Sequence, residues 1–406
     1  MFGINKPKII TDENKINEVL DRGTIVEVLP TKEEFRKKLL SGERMRFYIG
    51  FDATAPTLHL SHAKNFILME KFRKLGHEVI ILFGDFTARI GDPSGEGSAR
   101  KQLSREEVTK NVKKWRELVE PLMDFKNSEN PPKIMYNHDW LSKLNFEDLI
   151  NLASNFTVQQ MIERDMFQKR IKEEKPIHLH EFLYPLMQGY DSVVMEVDVE
   201  VCGTDQVFNA LAGRTLLKKL KNKEKFVVAV TLMENPKTGE LMSKSRGTGI
   251  FLDASSNDMY GQVMAQPDEM IEILFVNNTL LSLDEIKGFM ELNPKESKMR
   301  LAKEIVKIFY GEKEAEKAEE NFENTFSRGE FPEDALVIVA KKEEKIMDVL
   351  VNNKIVESKM EFRRLVEAGA ISDYPDKKIS DPNEIMGDTE RKIKIGKKTF
   401  VVLKPE

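Results

Sequence analysis

The sequence predicts an α/β protein: a doubly wound, Rossmann-like parallel sheet, then an α-helical domain, then a small α+β module. Three observations carry this. Short apolar runs of strand length alternate with helical stretches through the first two-thirds of the chain, the signature of a covered parallel sheet. From about Ala254 to Phe326 the pattern becomes helical throughout. The last 66 residues or so pair two short helical patterns with a hairpin pattern. Domains are therefore expected at 1–253, 254–330 and 341–406, with a segment inserted into the first at about 125–190.

The elements follow in order. Met45–Phe51 (MRFYIGF) reads as a short buried strand, and Ala63–Leu75 as a helix. Glu78–Phe83 (EVIILF) is almost continuously apolar, as a parallel strand covered on both faces should be. Lys133–Tyr136, Met195–Val201 and Phe226–Thr231 are further strand candidates. Ser327–Asp334 contains Gly, Pro and acidic residues and reads as a linker. In the tail, Glu344–Asn352 and Ser358–Ala368 read as helices, and Lys392–Leu403 as a hairpin turning near Gly396.

Bulk properties narrow the class. At 406 residues the chain can bury a sizeable core, and 40% hydrophobic with 32% charged residues excludes a disordered protein. No apolar run reaches the length of a membrane span, and no secretory or transit signal opens the chain, so a soluble cytoplasmic protein is expected. One cysteine, Cys202, allows no intramolecular disulfide. Net charge is −5, but unevenly spread: 15 basic and 13 acidic side chains from Lys341 onward give +2 there, leaving −7 elsewhere. The many mixed charges would suit a heat-adapted protein.

Five segments carry the chemistry. Phe47–Leu58, running into His59-Leu60-Ser61-His62, places a strand, a sharp turn and a helix N-terminus in sequence, which favours a phosphate. The histidines, three apart, share the first helical turn and can donate to phosphate or ribose oxygens; chance proximity and a metal pair are the bland readings. Gly91-Asp92-Pro93-Ser94-Gly95 has the composition of a simple turn, but Asp92 would end a strand and can meet an ammonium, with Arg89, Arg100 and Lys101 flanking it. Tyr184, Gln188 and Asp191 lie at i, i+4 and i+7, one helical face. Buried, they need polar partners, and a polar substrate would satisfy them; a solvated face is the alternative. Val201–Gln206 closes another strand, and Asp205 there is either a ribose acceptor or part of a helix cap. Thr238–Thr248 (TGELMSKSRGT) is a basic, Gly- and Ser-containing loop in which Lys244 and Arg246 can neutralise pyrophosphate.

His59–His62 resembles the HIGH signature of class I aminoacyl-tRNA synthetases, and Met242–Ser245 resembles their KMSKS loop. Together the five segments resemble the bacterial tyrosyl-tRNA synthetases, from about Arg46 to the C-terminus. That resemblance implies a tyrosine–tRNA ligase using ATP, with Mg²⁺ accompanying it, and no structural metal. It implies that Tyr48 and Asp191 hold the substrate phenol, and that Asp92, Tyr184 and Gln188 hold its ammonium, with Gln206 lining the pocket. Thr54, His59, His62 and Lys244 act on the phosphates, Asp205 acts on the ribose, and Gly50, Asp52 and Arg100 complete the ATP site. No side chain need act as a base, because the attacking carboxylate is already ionised; catalysis is positioning and charge stabilisation. The tail is similar to a small RNA-binding module, which implies tRNA contacts through Lys359, Arg363 and Arg364 on one helix and Lys377 and Lys378 in the loop after it. The resemblance also implies a homodimer, with Asn155–Arg170 near its interface.

Three positions depart from the family pattern. Ser61 replaces glycine, Leu241 replaces the first lysine of KMSKS, and Glu96 stands where a lysine is common. The lost lysine contact must be absent or supplied elsewhere, with Lys237 and Arg246 as candidates. Tryptophanyl synthetases share both signatures, but Tyr48 with Asp191 favours a phenol over an indole. Nucleotidyltransferases with a His-x-x-His site lack the second loop. A non-catalytic RNA-binding protein on a synthetase scaffold is the remaining alternative.

Overall fold

A computed structural model describes residues 7–92, 103–242, 248–327, 331–332, 335–375, 377–396 and 399–406. The chain divides into two compact units, Met1–Ala315 and Glu316–Glu406.

The first unit is built on a six-stranded sheet. Its strands are β1 (Ile25–Leu29), β2 (Arg46–Phe51), β3 (Glu78–Phe83), β4 (Lys133–Tyr136), β5 (Val199–Gly203) and β6 (Phe226–Val230), in spatial order β1-β6-β5-β2-β3-β4. β2 to β6 run parallel, while β1 pairs antiparallel with β6 at the edge. β1 carries no clear strand signal in the sequence, because Val26 and Glu27 are both exposed between buried Ile25 and Val28. From β2 the chain steps outward through β3 and β4, then returns as β5 on the other side of β2. That reversal opens a crevice at the carboxyl ends of β2 and β5, where open α/β sheets bind ligands.

The strand expected at Met195–Val201 begins later. Met195 closes the helix Tyr184–Met195, which Glu196 ends in the left-handed conformation (φ 48°), so the strand starts at Val199. Under the sheet Phe47 and Phe72 stack with centroids 4.3 Å apart, and Phe35 packs 6.1 Å from Phe47. The helices from Ser256 to Tyr310 are tied back to the sheet. Buried Arg22 donates to the carbonyls of Val276 (2.7 Å), Thr279 (2.9 Å) and Leu281 (2.7 Å).

The second unit holds a five-stranded sheet, β7 (Leu336–Ala340), β8 (Ile371–Asp373), β9 (Lys377–Lys378), β10 (Arg391–Ile395) and β11 (Thr399–Pro405), in order β7-β11-β10-β8-β9. β10 and β11 form the expected hairpin, and Gly396 begins its turn at φ 61°, a left-handed angle that glycine tolerates. Helices Ile346–Asn352 and Lys359–Glu367 cover it, placing Leu350 and Phe362 against Ile393 and Leu403. Lys377 and Lys378 are not in a loop: they form β9, paired with β8. Among the described residues no helix is long and apolar enough to cross a membrane.

Candidate active site

The crevice contains a cavity of about 350 Å³ lined from both sides of the switch point. β2 supplies Tyr48 and Gly50, and the turn after it supplies Asp52 and Thr54. Two side chains from helix Arg105–Val119 fix that turn: Asn111 donates to the carbonyl of Ala53 (2.9 Å) and Trp115 to that of Ala55 (2.6 Å). The helix Tyr184–Met195 supplies Tyr184, Gln188 and Asp191 along one face, as their spacing predicts, and Tyr184 and Asp191 are buried. The end of β5 supplies Asp205 and Gln206.

At the floor, Tyr48 and Asp191 are almost inaccessible. Asp191 Oδ1 accepts from the Trp140 indole (2.7 Å) and Oδ2 from the Asn137 amide (3.2 Å). Burial pushes the Asp191 carboxyl well above the usual carboxylate range, against the pull of those two donors. Higher in the cavity Tyr184 donates its hydroxyl to Asp52 Oδ2 (2.9 Å), while Thr87 donates to Oδ1 (2.6 Å). Burial raises the Asp52 carboxyl to about 7, opposed by those bonds. A side chain on Gly84 could not exist here, because its Cβ would meet Asp52 Oδ1 at 2.0 Å. Gln206 donates to Asp92 Oδ2 (2.6 Å) and to Asp205 Oδ2 (3.1 Å), linking three of the expected residues directly.

The side expected to meet phosphate forms at the helix Leu60–Lys74. His59 is its N-cap residue, and its backbone N–H donates to His62 Nδ1 (3.4 Å), leaving Nε2 of His62 as the donor toward the cavity. The two rings lie 4.3 Å apart. Burial lowers His59 to about 4 and His62 to about 3, so both are neutral hydrogen-bonding groups at neutral pH. His62 lines the cavity; His59 does not, and its Nδ1 is buried without a partner. Backbone bonds join this helix start to the segment after Gly247: Leu60 N–H donates to the Ile250 carbonyl (3.0 Å), and Leu252 N–H to the Leu58 carbonyl (2.9 Å). The first motif is thus joined to the segment Ile250–Leu252.

The family model described as tRNA synthetases class I (W and Y) matches residues 40–327. A tyrosine–tRNA ligase of Aquifex aeolicus is 40% identical over 394 residues, 96% of this chain and 98% of that protein. One of Thermotoga maritima is 37% identical over 399 residues, 96% of this chain and 97% of that protein. The chain belongs to the class I tRNA synthetases. Among solved structures, a C-terminally truncated mitochondrial tyrosyl-tRNA synthetase of Aspergillus nidulans superposes with TM-score 0.66 at 22% identity, covering 77% of this chain and 94% of that one. The tyrosyl-tRNA synthetase of Archaeoglobus fulgidus, complexed with L-tyrosine, gives 0.58 at 19%, covering 75% and 99%. At such identities these two establish the fold.

Some residues expected in the synthetase's site fall outside the described residues: Arg100, Lys101, Glu96 and Pro93–Gly95 in one loop, and Lys244 and Arg246 in the other. Lys237, a candidate to replace the missing lysine contact, is exposed and paired with Glu269. In the tail, Arg363, Arg364 and Lys359 share the helix Lys359–Glu367 and are exposed, with Lys359 paired to Asp348 (2.7 Å).

The sequence patterns do not point to several residues in or beside the synthetase's cavity: Asn137, Glu200 and Lys64 line it, while Trp140 and Lys225 bond to lining residues or their neighbours. Asn137 follows β4 and Trp140 lies in the short helix His138–Leu141, where no motif marks them. Glu200, Lys225 and Lys64 did leave a signal. Glu200 and Lys225 border or interrupt apolar strand runs, and Lys64 interrupts an apolar helix, yet all three are buried. Such charges demand partners. Lys64 Nζ donates to Asn65 (2.7 Å) within the cavity wall, and burial lowers it to about 7.

Proposed function

We infer that this synthetase is a tyrosine–tRNA ligase. It joins L-tyrosine to ATP, releasing pyrophosphate and forming tyrosyl-adenylate, then transfers tyrosine to the terminal ribose of its tRNA. One observation carries the reading: a cavity at the switch point has buried Tyr48 and Asp191 in its lining together with His62, from a helix start that His59 caps.

Roles follow from position. Tyr48 and Asp191 read the phenol, and with phenylalanine bound they would be left unpaired in a dry pocket, which costs far more than a missing methylene (a tyrosyl synthetase is the standard example of such rejection). Asp92, Tyr184 and Gln188 take the ammonium, with Gln206 holding Asp92 in place. Thr54, His59, His62 and Lys244 stabilise the charge that grows on the phosphates, Asp205 holds the ribose, and Gly50, Asp52 and Arg100 border the nucleotide. Mg²⁺ is read as accompanying the ATP substrate.

The exposed apolar side chains Phe146 (77%), Val158 (70%) and Leu179 (80%) lie within the segment between β4 and β5. Exposed apolar side chains of this size support homodimerisation through that segment. Exposed Lys359, Arg363, Arg364 and Lys377 support tRNA contact by the C-terminal unit. A cytoplasmic location fits this role.

Tyrosine-dependent ATP–pyrophosphate exchange, with tryptophan and phenylalanine as parallel substrates, tests the reading. Exchange with tyrosine alone is expected. Silence with all three, from folded protein, would sink it in favour of a non-catalytic RNA-binding scaffold.

A further inference from the structure

A buried ion pair borders the phenol pocket, with Glu200 in the cavity lining and Lys225 behind it. Tyr48 and Glu200 are register partners on the adjacent parallel strands β2 and β5. Lys225, just before β6, donates to Glu200 Oε2 and to Ser192 Oγ (2.7 Å), and its side chain is 0% exposed against 2% for Glu200. Ser192 Oγ lies 3.2 Å from both the Tyr48 hydroxyl and Glu200 Oε2. Glu200 Oε1 accepts from Gln188 Nε2 (3.0 Å). The ion pair therefore touches two residues assigned to the amino acid.

Stability is a poor reason to keep it. Burying two charges costs several kcal/mol per ion before their attraction is counted, and apolar replacements are often as stable. The surrounding backbone is also shaped for it: a Cβ on Gly213 would come within 2.6 Å of Lys225 Nζ and 2.9 Å of Ser192 Oγ.

We propose that Lys225 and Glu200 are positioning residues for tyrosine recognition, holding Tyr48 and Gln188 where the substrate meets them. A serine hydroxyl carries one proton and two lone pairs, so Ser192 can bond to Lys225, Glu200 and Tyr48 at once. The ion pair thereby fixes Ser192 against the Tyr48 hydroxyl, and the other oxygen of Glu200 holds the Gln188 amide. Without the pair, Ser192 and Gln188 lose these anchors, and the two side chains that read the amino acid are free to shift.

This rests on the reading of Tyr48 and Asp191 as the phenol site, and the test separates the two. Lys225→Met alone strands a buried carboxylate and can fail to fold, so the double variant Glu200→Gln/Lys225→Met is the working one. In pyrophosphate exchange with the full-length chain, its KM for tyrosine should rise roughly tenfold, the worth of one uncharged hydrogen bond. The tyrosine/phenylalanine ratio of kcat/KM should fall by a similar factor, with KM for ATP unchanged. A folded double variant with unchanged tyrosine KM and ratio overturns the inference. So does an equal rise in KM for tyrosine and ATP, which would mean a loosened scaffold. Tyr48→Phe is the control: if it too leaves tyrosine KM and the ratio untouched, the phenol reading has failed. If Tyr48→Phe raises the KM and the double variant does not, only the inference falls.

Discussion

The indole of Trp140 donates to Asp191 Oδ1 at 2.7 Å, so the carboxyl read as the phenol's acceptor is itself held by a residue 51 positions away. Trp140→Phe keeps the ring and deletes the donor, leaving Asn137 as the amide still bonded to Asp191. We expect KM for tyrosine to rise about tenfold, the usual worth of such a bond, with KM for ATP unmoved. Exchange kinetics on the two substrates check it, and an unchanged tyrosine KM would show that Asp191 needs no such support.

Asp52 makes a prediction about stability. Its carboxyl holds a proton to about 7 in the folded chain, against 3.8 unfolded, so the folded state binds more protons across that window. The contribution is fully present below about pH 4 and lost as pH rises through 7. Asp52→Asn has no proton to lose, so it should unfold a few degrees above wild type at pH 8, at about 2–4 °C per kcal/mol, and by less at pH 5. Thermal melts at the two pH values decide; a pH-independent difference would refute the raised value.

The histidines predict the opposite slope. His59 and His62 titrate near 4 and 3 when folded and near 6.5 unfolded, so the unfolded chain binds more protons as pH falls below 6.5. Stability is lost over that acid range. Being neutral donors, they should be replaceable by another neutral donor. His62→Gln should retain far more exchange activity than His62→Ala, for which a loss on the order of 10²-fold is expected. Equal losses would mean the imidazole itself, or its charge, is required.

Lys64 lines the same cavity as the residues we assign to the nucleotide, and burial lowers its pKa to about 7. An anionic nucleotide bound there favours the charged form, so ATP binding near pH 8 should take up a proton. Calorimetric titrations in two buffers of different ionisation enthalpy measure that uptake. Lys64→Met should abolish it, and identical heats in both buffers for wild type would exclude the effect.

What was legible in the sequence was whatever is local. β3 and β4 have the bounds that their apolar runs predict, and the tail hairpin turns at Gly396 as expected. Tyr184, Gln188 and Asp191 meet in one cavity because a helix fixes their spacing. The misses are non-local. β1 exists as a strand only by pairing with β6, two hundred residues later. Trp140 and Asn137 reach Asp191 only through the sheet's topology, which no spacing reveals. Glu200 and Lys225 could have been flagged as charges at apolar strands, but not assigned to each other.

The pair behind Tyr48 bears on attempts to re-engineer the pocket for another amino acid. Libraries are ordinarily drawn over the residues a ligand touches, and Lys225 would be left out of them. Yet Tyr48, Ser192, Glu200 and Lys225 are joined by hydrogen bonds, so exchanging Tyr48 for an apolar residue leaves a serine hydroxyl and an ion pair facing a greasy wall. The four positions have to be varied as one unit, with Gly213 kept small to leave them room.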